Sequence, residues 1–200
     1  MTFPLFYLAG IIILFYFIGG IPFAKIVVWQ KLRKDITTIG SGNVGATNVK
    51  RALGLPYALL VFALDFLKGY LPVLALFLVT QQQYLSLFVG FAIALGHIYS
   101  PYIGFKGGKG ASTLLGIFSA IYPWVFFVGV GIVGIGLKFS VKSVFTFLTL
   151  FALLSIFIVL YVLGIYHTYD ILAVALAGVL IVFTHRSNIQ RLIQGSEYKK

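Results

Sequence analysis

Ser41-Gly42-Asn43-Val44-Gly45-Ala46-Thr47-Asn48 is a small polar run in a chain that is otherwise almost entirely apolar. A second run of the same character, Phe105-Lys106-Gly107-Gly108-Lys109-Gly110, lies further on. Glycine lets a bare backbone close around an anion, and hydroxyls, carboxamides and cations complete the cradle. In the first run Ser41, Asn43, Thr47 and Asn48 offer donors, and Gly42 and Gly45 allow close approach. Lys50 and Arg51 follow and can neutralise a dianion, the arginine bidentately. In the second run Lys106 and Lys109 bracket Gly107, Gly108 and Gly110. The chemistry these residues suit is phosphate recognition. A tight turn with lysines as topological anchors is the alternative for either run alone.

Two further clusters are polar. Ser140 and Ser143 sit beside Lys138 and Lys142 at the start of an apolar stretch, where serine commonly caps a helix. The tail reads His185-Arg186-Ser187-Asn188-Ile189-Gln190-Arg191-Leu192. If the preceding helix continues, His185 and Asn188 are neighbours at i, i+3, and Ile189, Leu192 and Ile193 form an apolar stripe. A histidine near several cations stays neutral and can accept a proton; an interfacial histidine without a task is the other reading. Asp65 and Lys68, one turn apart in an apolar segment, read as a structural pair, and His97 as a hydrogen-bonded structural histidine.

The elements that must position these clusters are membrane helices. Of 200 residues, 60% are hydrophobic and 10% charged, where a soluble domain carries about a quarter charged residues. The first apolar stretch has no basic region before it and no small-residue cleavage site, so it reads as a retained span. Apolar stretches place spans at about 2–24, 57–79, 84–100, 111–121, 123–137, 143–165 and 169–184. Polar loops at 25–56, 104–110, 138–142 and 185–200 connect or follow them.

Charge chooses the topology. Residues 25–51 hold six basic residues and one acid, which marks that loop as cytoplasmic. Breaking 111–137 near Tyr122-Pro123 puts Lys138, Lys142 and the basic tail on the same side; a single crossing would put them outside. The expectation is one transmembrane domain over 1–200. It is an all-α seven-span helical bundle with some short or re-entrant helices, N-terminus outside and C-terminus cytoplasmic. The segment 111–120 makes only about 15 Å of helix, half the hydrocarbon thickness, and such an element must be buried in protein or line a wet cavity. All four polar clusters then face the cytoplasm, while His167 and Asp170 lie outside.

What is missing narrows the chemistry. The acids are Asp35, Asp65, Asp170 and Glu197, too few and too scattered to hold catalytic metal ions, so no metal and no cofactor is expected. Cysteine is absent, and neither a His-x-x-x-x-Asp dyad nor a Gly-x-Ser-x-Gly elbow occurs. The net charge of +11 records topology, not nucleic-acid binding. What remains is transfer from an already activated donor, positioned by cations and dipoles. A transporter or channel for a small organic phosphate is the rival, but the outer loops carry no Lys or Arg to attract an anion.

Three ordered blocks, Ser41–Asn48, Gly96-His97 through Phe105–Gly110, and His185–Glu197, resemble the bacterial acyl-phosphate:glycerol-3-phosphate acyltransferases, the PlsY-type family. Asp65-Phe66-Leu67-Lys68-Gly69 also looks like that family's second span, and the likeness covers essentially the whole chain. The resemblance implies a multi-pass protein of the bacterial plasma membrane. It would move a fatty acyl group from acyl phosphate to the sn-1 hydroxyl of glycerol 3-phosphate, giving lysophosphatidic acid and phosphate at the first step of phospholipid synthesis. It implies that Ser41, Asn43, Thr47, Asn48, Lys106 and the glycines of 107–110 surround the acyl-phosphate head. Arg51, Ser140, His185 and Asn188 would hold glycerol 3-phosphate, and Glu197 would brace the tail through Arg191. Either His185 or the substrate's own phosphate would take the hydroxyl proton.

Overall fold

The structure, a computed structural model, describes residues 5–136 and 142–194. Every regular element among them is helical. Three segments are long and apolar enough to cross a membrane: Phe6–Leu32, Leu55–Thr80 and Gln83–Ile103. Shorter apolar helices cover Ala111–Ile121, Thr146–Val162 and Thr168–Thr184. Large apolar side chains such as Phe6, Leu78, Phe151 and Val179 stand exposed along them, as lipid contact requires. The chain is an all-α, multi-pass membrane protein. It divides into two compact units, Met1–Ile121 and Tyr122–Lys200.

The first unit holds α1 (Leu5–Gly20), α2 (Phe23–Leu32), α3 (Ala46–Leu53), α4 (Leu55–Thr80), α5 (Gln83–Ile98) and α6 (Ala111–Ile121). The first span is thus not one helix ending near residue 24. Pro22 has no amide N–H to continue the ladder, so the helix breaks at Ile21-Pro22 and resumes. The resumed helix reads as loop by hydropathy because of Lys25, Gln30 and Lys31, yet Ala24, Val27 and Val28 give it a buried stripe. Arg33, at φ 53°, ends it by donating its N–H to the Trp29 carbonyl at 3.0 Å.

Two seams hold this unit together, and both are backbone against backbone. A Cβ added to Gly19 would fall on the Ile93 carbonyl oxygen, and one added to Gly96 on that of Tyr16, which locks α1 to α5. Gly69 and Gly116 stand in the same relation to the carbonyls of Thr113 and Phe66, which locks α4 to α6. Small residues at helix interfaces replace the hydrophobic drive that lipid cannot supply. Polar stitches add to the first seam: Tyr16 donates to the Tyr99 carbonyl and Ser100 to that of Gly20, both at 2.6 Å.

The second unit holds α7 (Trp124–Gly136), α8 (Lys142–Val162), α9 (Thr168–Thr184) and α10 (Arg186–Ile193). The start of α7, α8 and the turn before α9 meet through rings: Tyr122, Trp124, Phe157 and Tyr166 pack with centroids 4.9–5.3 Å apart. The Trp124 indole N–H donates to the Tyr166 hydroxyl at 2.9 Å. Buried Asp170 accepts from the Tyr122 hydroxyl and from the His167 amide, the latter at 2.7 Å, and so caps α9.

Candidate active site

The first polar run is a loop stitched by one side chain. Asn48, fully buried, donates from Nδ2 to the carbonyls of Ile36 at 3.2 Å and Ile39 at 2.8 Å. Its Oδ1 accepts the Ser41 amide at 3.0 Å. Both donors of this carboxamide are spent on the loop, so Asn48 shapes the candidate site from behind. Val44 of the run and Val49 just after it join Ala24, Val27, Val28, Ile36 and Val61 in a buried cluster beneath it. Gly40 and Gly42 lie in the left-handed region at φ 56° and 70°, where the chain reverses over Asn48.

With the loop so fixed, Ser41, Gly42, Asn43 and Gly45 are half-buried at its rim, and Thr47 is exposed in the first turn of α3. No side-chain hydrogen bond caps α3 at Gly45, and the first amides of a helix lack partners within the helix. Arg51 is exposed in the last turn, its aliphatic stem close beside Gly40. Asp35 anchors the loop's start: Oδ1 accepts the amide and hydroxyl of Thr37, both at 2.9 Å, and Oδ2 pairs with Lys25 at 2.9 Å. The Lys25 hydrogen bond, then that of the Thr37 amide, lowers its carboxyl from the ordinary 3.8 to about 2.

The second run is stitched by backbone. After a turn at Pro101–Ile103, Gly104 and Phe105 adopt left-handed conformations at φ 63° and 60°, and the chain doubles back along the end of α5. The Gly107 amide donates to the Ile98 carbonyl at 2.9 Å and the Gly108 amide to that of His97 at 3.0 Å. These bonds satisfy carbonyls that a helix terminus leaves open. Glycine is required at both: a Cβ at Gly107 would fall on the His97 carbonyl oxygen, and one at Gly108 on the His97 ring. A Cβ at Gly108 would also stand 2.6 Å from the Val44 carbonyl oxygen. The two glycine-bearing loops therefore touch, with Lys106 exposed and Lys109 half-buried at the second loop's edge.

Behind that contact is a cavity of about 10 Å³, room for roughly one water. Val44, Gly107 and Gly108 line it together with Asp65, Lys68 and His97. Reading Asp65 and Lys68 as a pair is correct, with Nζ 2.7 Å from Oδ1. The sequence does not disclose that His97 closes on the same carboxylate or that all three stand behind the glycines. Three ionisable groups in two apolar spans are the signal for them.

In the second unit, His185 is buried at the junction of α9 and α10, edge-on to the Phe147 ring. Its Nδ1 lies 2.9 Å from the Ile181 carbonyl, which can only accept, so Nδ1 carries the proton. In the neutral ring Nε2 is then the basic nitrogen. The helix does not run straight on. It breaks at His185, whose carbonyl accepts the amides of Asn188 at 2.8 Å and Ile189 at 3.0 Å. Arg191 donates to the Asn188 Oδ1 and fixes that carboxamide's orientation. Ser140 and Glu197 lie outside the described residues, and Ser143 is in α8 with its side chain outside them. Among the described residues no three His, Asp or Glu side chains gather as a metal site would need.

The profile of the family described as glycerol-3-phosphate acyltransferase matches residues 9–195. The chain belongs to that family. A glycerol-3-phosphate acyltransferase of Aquifex aeolicus is 41% identical over 195 residues, covering 94% of this chain and 97% of its own. One from Endomicrobium trichonymphae is 37% identical over 188 residues, covering 94% and 93%. Among solved structures, the glycerol 3-phosphate form of PlsY (YgiH), an integral membrane glycerol 3-phosphate acyltransferase, superposes with a TM-score of 0.83. It shares 38% identity over 97% of this chain and 96% of that one. Its lysophosphatidic acid form gives 0.80 at the same identity. Family membership and fold thus agree across nearly the whole chain.

Proposed function

We propose that this chain transfers a fatty acyl group from acyl phosphate to the sn-1 hydroxyl of glycerol 3-phosphate. The observation that carries the reading is the contact of two glycine-bearing, cation-edged loops at Gly108 and Val44. Donor and acceptor both bear phosphate, so the reaction needs this chemistry twice. The sn-1 oxygen attacks the acyl carbonyl carbon, the carbon–oxygen bond to phosphate breaks, and lysophosphatidic acid and inorganic phosphate depart. The donor is a mixed anhydride with a good leaving group, so holding hydroxyl and carbonyl in line and stabilising developing charge is the protein's task.

Ser41, Asn43 and Thr47, on the loop that Asn48 shapes, bind the acyl-phosphate head together with Lys106 and the second loop's 107–110 edge, where Gly107 and Gly108 serve by close packing, their amides being given to the end of α5. Arg51, Ser140, His185 and Asn188 serve glycerol 3-phosphate, with His185 Nε2 accepting the hydroxyl proton, and Glu197 braces the tail. The protein spans a bacterial plasma membrane seven times with its N-terminus outside and the loops cytoplasmic. The distribution of Lys and Arg supports that topology. Because the chain has no cysteine, single cysteines introduced at 82 and 106 would label from opposite sides if it holds.

The test is purified protein given palmitoyl phosphate and glycerol 3-phosphate without added metal. Phosphate released one-to-one with lysophosphatidic acid is expected. A folded sample yielding neither would overturn the reading in favour of phosphate-ester transport. His185→Ala and Asn188→Ala should each abolish turnover in a folded protein; full activity in both would remove the third block from the chemistry.

A further inference from the structure

Asp65, Lys68 and His97 are 3%, 7% and 8% exposed, in segments long and apolar enough to span a membrane. Charges there are costly, and apolar residues of like volume usually stabilise as well or better. What the three touch gives the reason for them. Lys68 Nζ, besides its bond to Asp65, donates at 2.9 Å to the carbonyl of Ile21, where α1 breaks before Pro22. The same ammonium lies 5.4 Å above the Phe23 ring at the start of α2. On the other side, His97 Nδ1 stands 3.6 Å from the shared Asp65 oxygen. The His97 ring closes directly behind Gly108, and its own carbonyl holds the Gly108 amide. One carboxylate therefore connects the back of the second loop, through His97, to the break that launches α2, through Lys68. Val44 of the first loop lines the same cavity.

We propose that Asp65, Lys68 and His97 are positioning residues for the acyl transfer: together they hold the Gly107–Gly108 backbone and the α1–α2 break as one wall behind the phosphate loops. This rests on the acyltransferase reading above. Asp65 orients the ammonium and the imidazole, Lys68 fixes the break that aims α2 and the first loop, and His97 sets how far Gly108 can retreat. None of the three contacts substrate. Their effect falls on how tightly the loop grips its phosphate.

The decisive variant is Asp65→Leu/Lys68→Met, which removes both charges at once and strands neither. It is assayed beside the unmodified protein, Gly108→Ala, and the neutral polar pair Asp65→Asn/Lys68→Gln. The apolar pair should remain folded, with a melting temperature within a few degrees of the parent. Its KM should rise at least tenfold for one phosphorylated substrate, the same one whose KM rises in Gly108→Ala. The polar pair, which keeps hydrogen-bonding groups at both positions, should stay within threefold of the parent. Unchanged KM values in a folded apolar pair would overturn the proposal, as would a polar pair no better than the apolar one. Should the apolar pair not fold, His97→Leu carries the same tenfold expectation and is overturned by the same null. Calorimetric binding of inorganic phosphate supplies a readout that needs no turnover. A tenfold weaker phosphate in the apolar pair supports positioning even if the parent made no product, and equal affinity overturns it.

Discussion

The two glycine-bearing loops are built by opposite means. The loop around residues 36–48 is held by a side chain, since Asn48 reaches across it to Ile36, Ile39 and Ser41. The loop around 104–110 is held by main chain, with Gly107 and Gly108 laid on the final carbonyls of α5. The difference teaches where each is vulnerable. A side-chain stitch is lost by removing atoms, while a backbone stitch is lost by adding them.

The strongest way to break that contrast is Gly107→Ala. Its Cβ meets the His97 carbonyl oxygen, a backbone atom that cannot rotate away. Turnover should fall by about 100-fold or more, a misplacement of roughly 1 Å being enough. Steady-state kinetics check this, and near-parental rates would show that the strand does not lie as described.

Asn48→Ala comes next. It strands two carbonyls and an amide, each unsatisfied buried group costing about 1–3 kcal/mol. Thermal unfolding should drop by several degrees, with activity reduced about tenfold or more. Gly45→Ala provides the control: φ is −165°, extended backbone open to any residue, and the new Cβ would meet the Asn43 side-chain nitrogen Nδ2 at 3.1 Å. A melting temperature close to the parent's is expected, in contrast to Asn48→Ala, because no buried partner is stranded.

Acid gives the smallest and most selective effect. Asp35 has its folded pKa depressed to about 2 by Lys25, below the unfolded value near 3.9. Its stabilisation is present above about pH 4 and disappears as pH falls toward 2. The carboxylate side chain is 34% exposed, so the contribution is a surface one, about 0.5 kcal/mol. Hydrogen-exchange protection, taken relative to the intrinsic rate at each pH, should fall at residues 36–45 over that window and hold at 104–110, which carries no acid. Asp35→Asn should remove the pH dependence.

Much of this was legible beforehand because hydropathy and glycine carry it. The edges of α4, α5 and α9 fall within two residues of the apolar limits, and the break between α6 and α7 falls at Tyr122-Pro123. α2 was hidden because Lys25 and Lys31 dilute a stripe that only three buried residues define. The role of Asn48 was hidden because a carboxamide reads alike as ligand donor and as loop stitch; burial decides between them. The approach of His97 to Gly108 depends on the reversal at Pro101–Phe105, which no local pattern announces. Gly107 and Gly108 read by type as ligand-binding glycines, although the nearer cause is the helix end beneath them.

The glycine seams of the first unit also bear on the lipid around it. Helices in backbone contact have no compressible layer of side chains between them, so α1 with α5, and α4 with α6, behave as stiff two-helix struts. A bilayer that thickens or thins can be met by tilting such struts, at a cost of fractions of a kcal/mol per Å of mismatch. Sliding one helix past its partner would drive a carbonyl into the neighbouring chain. The loops at the strut ends therefore ride with the membrane as a unit, and changes in acyl-chain length in the surrounding lipid alter the inclination of the first unit before they alter the spacing of its loops.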